Sequence, residues 1–139
     1  CLVKKLKIFL VDDHGVLRQG MRQMIDLEKD FEVCGEASDA CEALERLPGS
    51  KADIALIDLG LKGTGGLDLI KTLKQRLPKL LILVMSMFEE TIYAERALRA
   101  GAKGFVLRLE ASQFRLLMDG LLIVAGLVLL WGAFVMQHA

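Results

Sequence analysis

Five residues of this chain have types that could do chemistry together. Asp12 and Asp13 close the apolar run "KIFLV", Asp58 closes "DIALI", Ser86 follows "LILVM" and Arg108 follows "GFVL". Taken singly, each has a plain reading. Adjacent like charges repel and gain nothing from neighbouring apolar surface, so Asp12 and Asp13 alone read as a surface turn, and Ser86 alone reads as a strand-end cap. Gathered in one crevice, the three carboxylates would raise each other's pKa values unless a cation sat among them. A hard divalent ion with oxygen ligands fits, and Mg²⁺ is the natural one, because it uses one or two carboxylates and keeps waters that a phosphate can replace. A carboxylate can also attack phosphorus and become an aspartyl phosphate. Asp58, alone at the end of its strand, is the candidate nucleophile. Asp12 and Asp13 would then hold the metal, which with Arg108 would neutralise charge on the transferred phosphoryl group.

Whether these residues meet depends on the elements that carry them. Short runs rich in Val, Ile and Leu alternate with longer segments of helical period. The spacing predicts strands over Leu6–Val11, Phe31–Cys34, Ile54–Ile57, Leu80–Met85 and Gly104–Leu107. Leu17, Met21, Met24 and Ile25 share one helical face, as do Leu67, Ile70, Leu73 and Leu77. Ser38 and Asp39 suit a helix start before "ACEALERL", and Pro48-Gly49 is expected to stop that helix. Glu89–Ala100 reads as a helix closed by Gly101 in a left-handed cap, and a last helix is expected from about Ser112 to Ala125. Five βα units in a row imply a parallel sheet with helices on both faces, since parallel strands need crossover connections. In such sheets the carboxyl ends of the strands share one rim. Residues spread over nearly a hundred positions would therefore converge.

The bulk numbers narrow the classes. The chain has 139 residues, enough for one ordinary domain. Lys+Arg and Asp+Glu are equal at 18 each, so no basic excess marks a nucleic-acid binder. Three cysteines, Cys1, Cys34 and Cys41, are odd in number and lack metal-ligand spacing, which suits a reducing compartment and a cytoplasmic protein; Cys34 and Cys41 read as inert. No signal peptide is expected, because "LKIFLV" is short and runs straight into "DD". "GLKGTGG" lacks the Gly-Lys-Ser/Thr ending of a phosphate-binding loop. His14 reads as a loop histidine beside the site, since the acids already supply hard ligands, and Met21, Met24, Met85 and Met87 read as core.

The ordered set "FLVDDH", "DIALIDLGLKGTGGLDLI", "LILVMSM" and "AGAKGFVLR" resembles the receiver domain of two-component response regulators. The likeness is to the LuxR-type (NarL/FixJ-like) regulators that carry a DNA-binding domain after the receiver. It covers roughly residues 4 to 125, leaving 126–139 as an apolar tail or the start of a linker. The resemblance implies a flavodoxin-like, doubly wound sheet of five parallel strands in the order 2-1-3-4-5. It implies a signalling domain rather than an enzyme, phosphorylated on Asp58 by a sensor histidine kinase in a Mg²⁺-dependent reaction. Asp12 and Asp13 take the acidic-pair positions, and Gly60 would offer its backbone carbonyl to the ion. Ser86 takes the hydroxyl position that contacts the phosphoryl group, and Phe105 the aromatic switch position. DNA would be reached only through an output domain that this sequence does not contain.

Three departures from the pattern stand out. Arg108 replaces the family's lysine, a planar fork in place of a compact ammonium. Lys62 stands where proline is usual, with Gly65-Gly66 after it, so that loop should be more flexible. The end of the sequence is the apolar "GLLIVAGLVLLWGAFVMQHA". The last helix needs its first half, which leaves too few residues to cross a bilayer, so a homodimer through that helix is the economical reading of its apolar outer face. Two other classes stand beside the phosphoacceptor. One is a pseudo-receiver, a binding module in which Arg108 impairs phosphorylation. The other is an aspartyl-phosphate hydrolase, disfavoured because no Asp-x-Asp pair is present.

Overall fold

Strands and helices alternate along the described residues, 4–63, 65–86 and 91–107, of a computed structural model. They are β1 (Leu6–Val11), α1 (Gly15–Leu27), β2 (Phe31–Ala37), α2 (Ala40–Ser50), β3 (Ile54–Asp58), α3 (Gly66–Arg76), β4 (Leu81–Ser86), α4 (Thr91–Ala100) and β5 (Gly104–Leu107). The strands form one parallel sheet in the order β2-β1-β3-β4-β5. The expected doubly wound α/β order is thus present, with β1 and β3 central.

Right-handed crossovers explain the two layers. The chain steps from β1 to β2 in one direction and then returns past β1 to β3, β4 and β5, so α1 lies on the face opposite α2, α3 and α4. Side chains alternate along β1 to serve both layers. Phe9 and Val11 join Leu47, Ile57, Leu69, Ile70 and Ala97 in the larger core. Ile8 and Leu10 join Met21 and Met85 in the smaller one, with Ile25 packed against them. The central strands face a core on either side, which explains their continuous apolar sequence.

Several boundaries differ from the sequence reading. β2 runs on to Ala37 instead of stopping at Cys34. Its pairing with β1 jumps from Ile8↔Val33 to Phe9↔Gly35, so Cys34 bulges out and the ladder resumes. A Cβ on Gly35 would sit 2.5 Å from Phe9 Cε2, and glycine there leaves room for a ring only 1% exposed. Burial pushes the Cys34 thiol up from its ordinary pKa. β3 takes in Asp58, and β4 is displaced by one residue to Leu81–Ser86.

α2 does not stop at Pro48-Gly49; it continues to Ser50 and ends at Lys51 in the left-handed region (φ 56°). A proline in the last turn removes one N–H and leaves the residues after it able to keep helical dihedrals. The start of α2 is as expected, with Asp39 as N-cap accepting the N–H of Glu42 at 2.8 Å. The Glu42 carboxylate in turn accepts the Ser38 N–H at 2.7 Å and hydroxyl at 2.9 Å, and pairs with Arg46 at 2.7 Å. These bonds hold its pKa down to about 2. Met24, expected in the core, is 45% exposed on α1. Gly101 closes α4 with φ +116°, as its position predicted. The start of α4 at Glu89, Met87, the last helix and the boundary at 125/126 lie outside the described residues. Among the described residues no helix is long and apolar enough to cross a membrane.

Candidate functional site

The carboxyl ends of β1, β3 and β4, adjacent in the sheet, carry the polar residues singled out above. Asp12 follows β1 directly. Its N–H donates to the Ala37 carbonyl at 3.1 Å, extending the β1/β2 ladder by one residue, and its side chain is fully buried. Asp13 is next and largely covered. Asp58 is the last residue of β3 and Ser86 the last of β4, at 3% and 6% exposure. The Leu59 N–H donates to the Met85 carbonyl at 3.0 Å, tying the exit of β3 to β4. The Gly60 N–H donates to Asp58 Oδ1 at 2.9 Å and so holds the carboxylate in one orientation. A Cβ on Gly60 would stand 3.4 Å from the same oxygen.

The acids meet closely. One ligand atom from each of Asp12, Asp13, His14 and Asp58 lies within 4.8 Å of the others. Buried carboxylates at such spacing favour a cation among them, and a donor set dominated by hard oxygens fits a divalent ion such as Mg²⁺. Arg18 comes near without entering. Its Nη1 donates to the Asp12 main-chain carbonyl and its Nε to Glu36 Oε2 at 3.0 Å, while Arg22 and Arg46 also hold Glu36. Arg18 therefore clamps the loop after β1 to the end of β2.

Asp12, Asp13, Asp58 and Ser86 are thus brought to one rim, with the Gly60 backbone against Asp58. Phe105 is placed by its backbone in β5, opposite Val84. Its side chain and the whole of Arg108 lie outside the described residues. Sequence reasoning missed what three positions touch. His14 stands beside the site, as expected of a loop histidine there, but the contacts of its ring were not foreseen: Nδ1 lies 2.9 Å from Asp13 Oδ1 and 3.3 Å from Asp12 Oδ1, and its place directly after the acids was the available signal. Gly66 packs so tightly that a Cβ there would stand 2.9 Å from the Asp58 carbonyl oxygen, and no local pattern announces that. Arg18 lies one helical turn beyond His14, a spacing that could have pointed back to the loop.

Residues 8–114 match the family of the response regulator receiver domain. The DNA-binding transcriptional activator DevR/DosR of Mycobacterium tuberculosis is 34% identical over 103 residues, which are 74% of this chain and 48% of that protein. Among solved structures, a LuxR-family two-component response regulator from Aurantimonas superposes with TM-score 0.73 at 32% identity, covering 88% of this chain and 87% of that one. The isolated REC domain of RcsB from Salmonella enterica serovar Typhimurium, solved with the phosphomimetic BeF₃⁻, gives TM-score 0.71 at 27% identity over 78% and 80%. The chain spans about half the length of the curated relatives it matches. With an acidic rim of this kind on a 2-1-3-4-5 sheet, and with that match over most of its length, the chain belongs to the response regulator receiver domain family.

Proposed function

We propose that this chain is a phosphoacceptor module, with Asp58 receiving a phosphoryl group from a sensor histidine kinase in a Mg²⁺-dependent reaction. Asp12, Asp13, Asp58 and the Gly60 carbonyl would hold the ion, which when bound neutralises charge on the phosphoryl oxygens. An Asp58 carboxylate oxygen attacks phosphorus, the P–O bond forms, and the P–N bond to the kinase imidazole breaks with its electron pair returning to nitrogen. The Gly60 N–H keeps the nucleophile aimed before attack. Ser86 would bond the arriving phosphoryl oxygen and Arg108 would pair with it. Phe105 would respond to that rearrangement, and a homodimer through the last helix would carry the signal on. Receiver domains act as signalling parts of regulators, so DNA binding, which the name of the DevR/DosR relative states, is proposed for a whole regulator and not for the residues described. A cytoplasmic location goes with this reading.

The single observation behind it is the convergence of three carboxylates from two strand ends, with the Ser86 hydroxyl one strand away on the same rim. The relative solved with BeF₃⁻ supports the same chemistry. Incubation with Mg²⁺ and acetyl phosphate, read by intact mass, should add one phosphoryl group to the chain and none to Asp58→Asn. A wild-type chain that gains no mass would favour the pseudo-receiver, in which Arg108 in place of lysine impairs the transfer.

A further inference from the structure

We infer that His14 is itself a ligand of the metal site, an imidazole nitrogen that shifts the site's preference from Mg²⁺ toward Mn²⁺ and the other first-row transition ions. The inference rests on the metal-binding reading above and adds a ligand to it. The His14 ring is half exposed, with 54% of its side chain in solvent, yet it turns Nδ1 inward to stand 2.9 Å from Asp13 Oδ1 and 3.3 Å from Asp12 Oδ1. Octahedral ligands ~2.1 Å from a common ion lie ~3 Å apart when adjacent and ~4.2 Å when opposite. The two His14 spacings match adjacent positions, while the widest separation among the four donors, up to 4.8 Å, exceeds the opposite one, so the donors must draw together by ~0.6 Å to share one ion.

The backbone supplies an independent reason. His14 is the N-cap residue of α1, yet its side chain makes no capping bond. The cap position favours Ser, Thr, Asp or Asn, which satisfy the free N–H groups of the first turn. Here that position holds a poor cap whose ring faces the acids instead. The loop supports this placement, because the His14 N–H donates to Asp12 Oδ1 at 2.7 Å and locks residue 14 against the carboxylate. Mg²⁺ takes oxygen ligands and retains water, whereas first-row transition ions bind mixed nitrogen and oxygen sites in a graded order, Mn²⁺ least and Co²⁺ and Zn²⁺ more. The added nitrogen should therefore favour them selectively.

The test is calorimetric titration of the full chain with Mg²⁺ and separately with Mn²⁺, for wild type, His14→Ala and His14→Asn, joined to pulsed EPR of the Mn²⁺ complex. Wild-type Mn²⁺ should show hyperfine coupling to an imidazole nitrogen, lost in both variants. Mn²⁺ affinity should fall ~10-fold on either substitution, in the range for perturbing a metal site, while Mg²⁺ affinity changes less than about twofold. His14→Asn supplies a helix cap that histidine does not, so a loss confined to Mn²⁺ cannot be ascribed to unfolding of α1. A wild-type Mn²⁺ complex without nitrogen coupling, or equal losses for both ions, overturns the role of His14 and leaves the oxygen site standing. Failure of the wild type to bind either ion overturns the metal site as well.

Discussion

Gly66→Ala adds one methyl group where the first turn of α3 presses on the exit of β3. The new Cβ would lie 2.9 Å from the Asp58 carbonyl oxygen and 3.0 Å from Leu59 Cα. Contacts of these kinds normally begin at ~3.3 Å for carbon to oxygen and ~3.5 Å for carbon to carbon, so about 0.4 Å must be found against the oxygen and about 0.5 Å against the carbon. Both opposing atoms are backbone, and the carbonyl belongs to Asp58, whose side chain sits in the site, so neither can swing away as a flexible side chain could. Overpacking of this kind costs ~1–3 kcal/mol. Replacing glycine in a helix returns ~0.5–1 kcal/mol, leaving a net loss between ~0 and ~2.5 kcal/mol and about 1.3 kcal/mol at the middle of the two ranges. With a urea m-value of about 1.5 kcal/mol/M, the midpoint should fall by ~1 M at unchanged slope. Gly20→Ala is the matched control. It lies inside α1 with nothing within 4 Å of the added carbon, so the same change should raise stability by ~0.5–1 kcal/mol. A second readout follows from geometry, because displacing the Asp58 backbone should weaken Mg²⁺ binding in Gly66→Ala and not in Gly20→Ala. If Gly66→Ala unfolds at the same urea concentration as Gly20→Ala, or above it, the close approach is not a constraint and the reasoning fails.

Two further outcomes are expected. Glu42→Gln should cost ~0.5 kcal/mol at pH 7, the scale of an exposed, screened ion pair and cap bond. The folded carboxyl, near 2, lies below its ordinary 4.5, so its contribution is complete above 4.5, fades as pH falls and is gone below about 2. Urea melts of both proteins at pH 7, 4 and 2.5 check that trend, and a gap that widened on acidification would contradict it. His14→Asn should stabilise the fold by ~0.5–1 kcal/mol in the absence of metal, because asparagine caps α1 where histidine does not. Thermal unfolding in chelator measures it, and an unchanged or lower midpoint would show that the His14 ring contributes to the apo loop.

Much of the fold was legible because its signals are local. The apolar runs became β1, β3, β4 and β5 within a residue or so, since a strand buried on both faces has no polar alternation to blur its ends. β2 was read short. Its Glu36 looks like loop sequence, but on an edge strand the side chain reaches Arg18 and Arg22 while the backbone keeps pairing. Pro48 was overvalued as a stop, because the cost of a proline depends on which turn it occupies.

The sequence by itself determined the alternation of strand and helix and, through the parallel topology that this demands, the meeting of Asp12, Asp13, Asp58 and Ser86 on one rim. Each of those residues ends or follows an apolar run, and strand ends are set by residue type and spacing. Only the tertiary structure decided what those residues touch. That the His14 ring turns back to the acids, that Gly66 lies against the Asp58 carbonyl, and that Gly35 makes room for Phe9 are matters of distance between segments far apart or freely rotatable. No periodicity encodes them; they follow from close packing once the sheet has brought the backbones together.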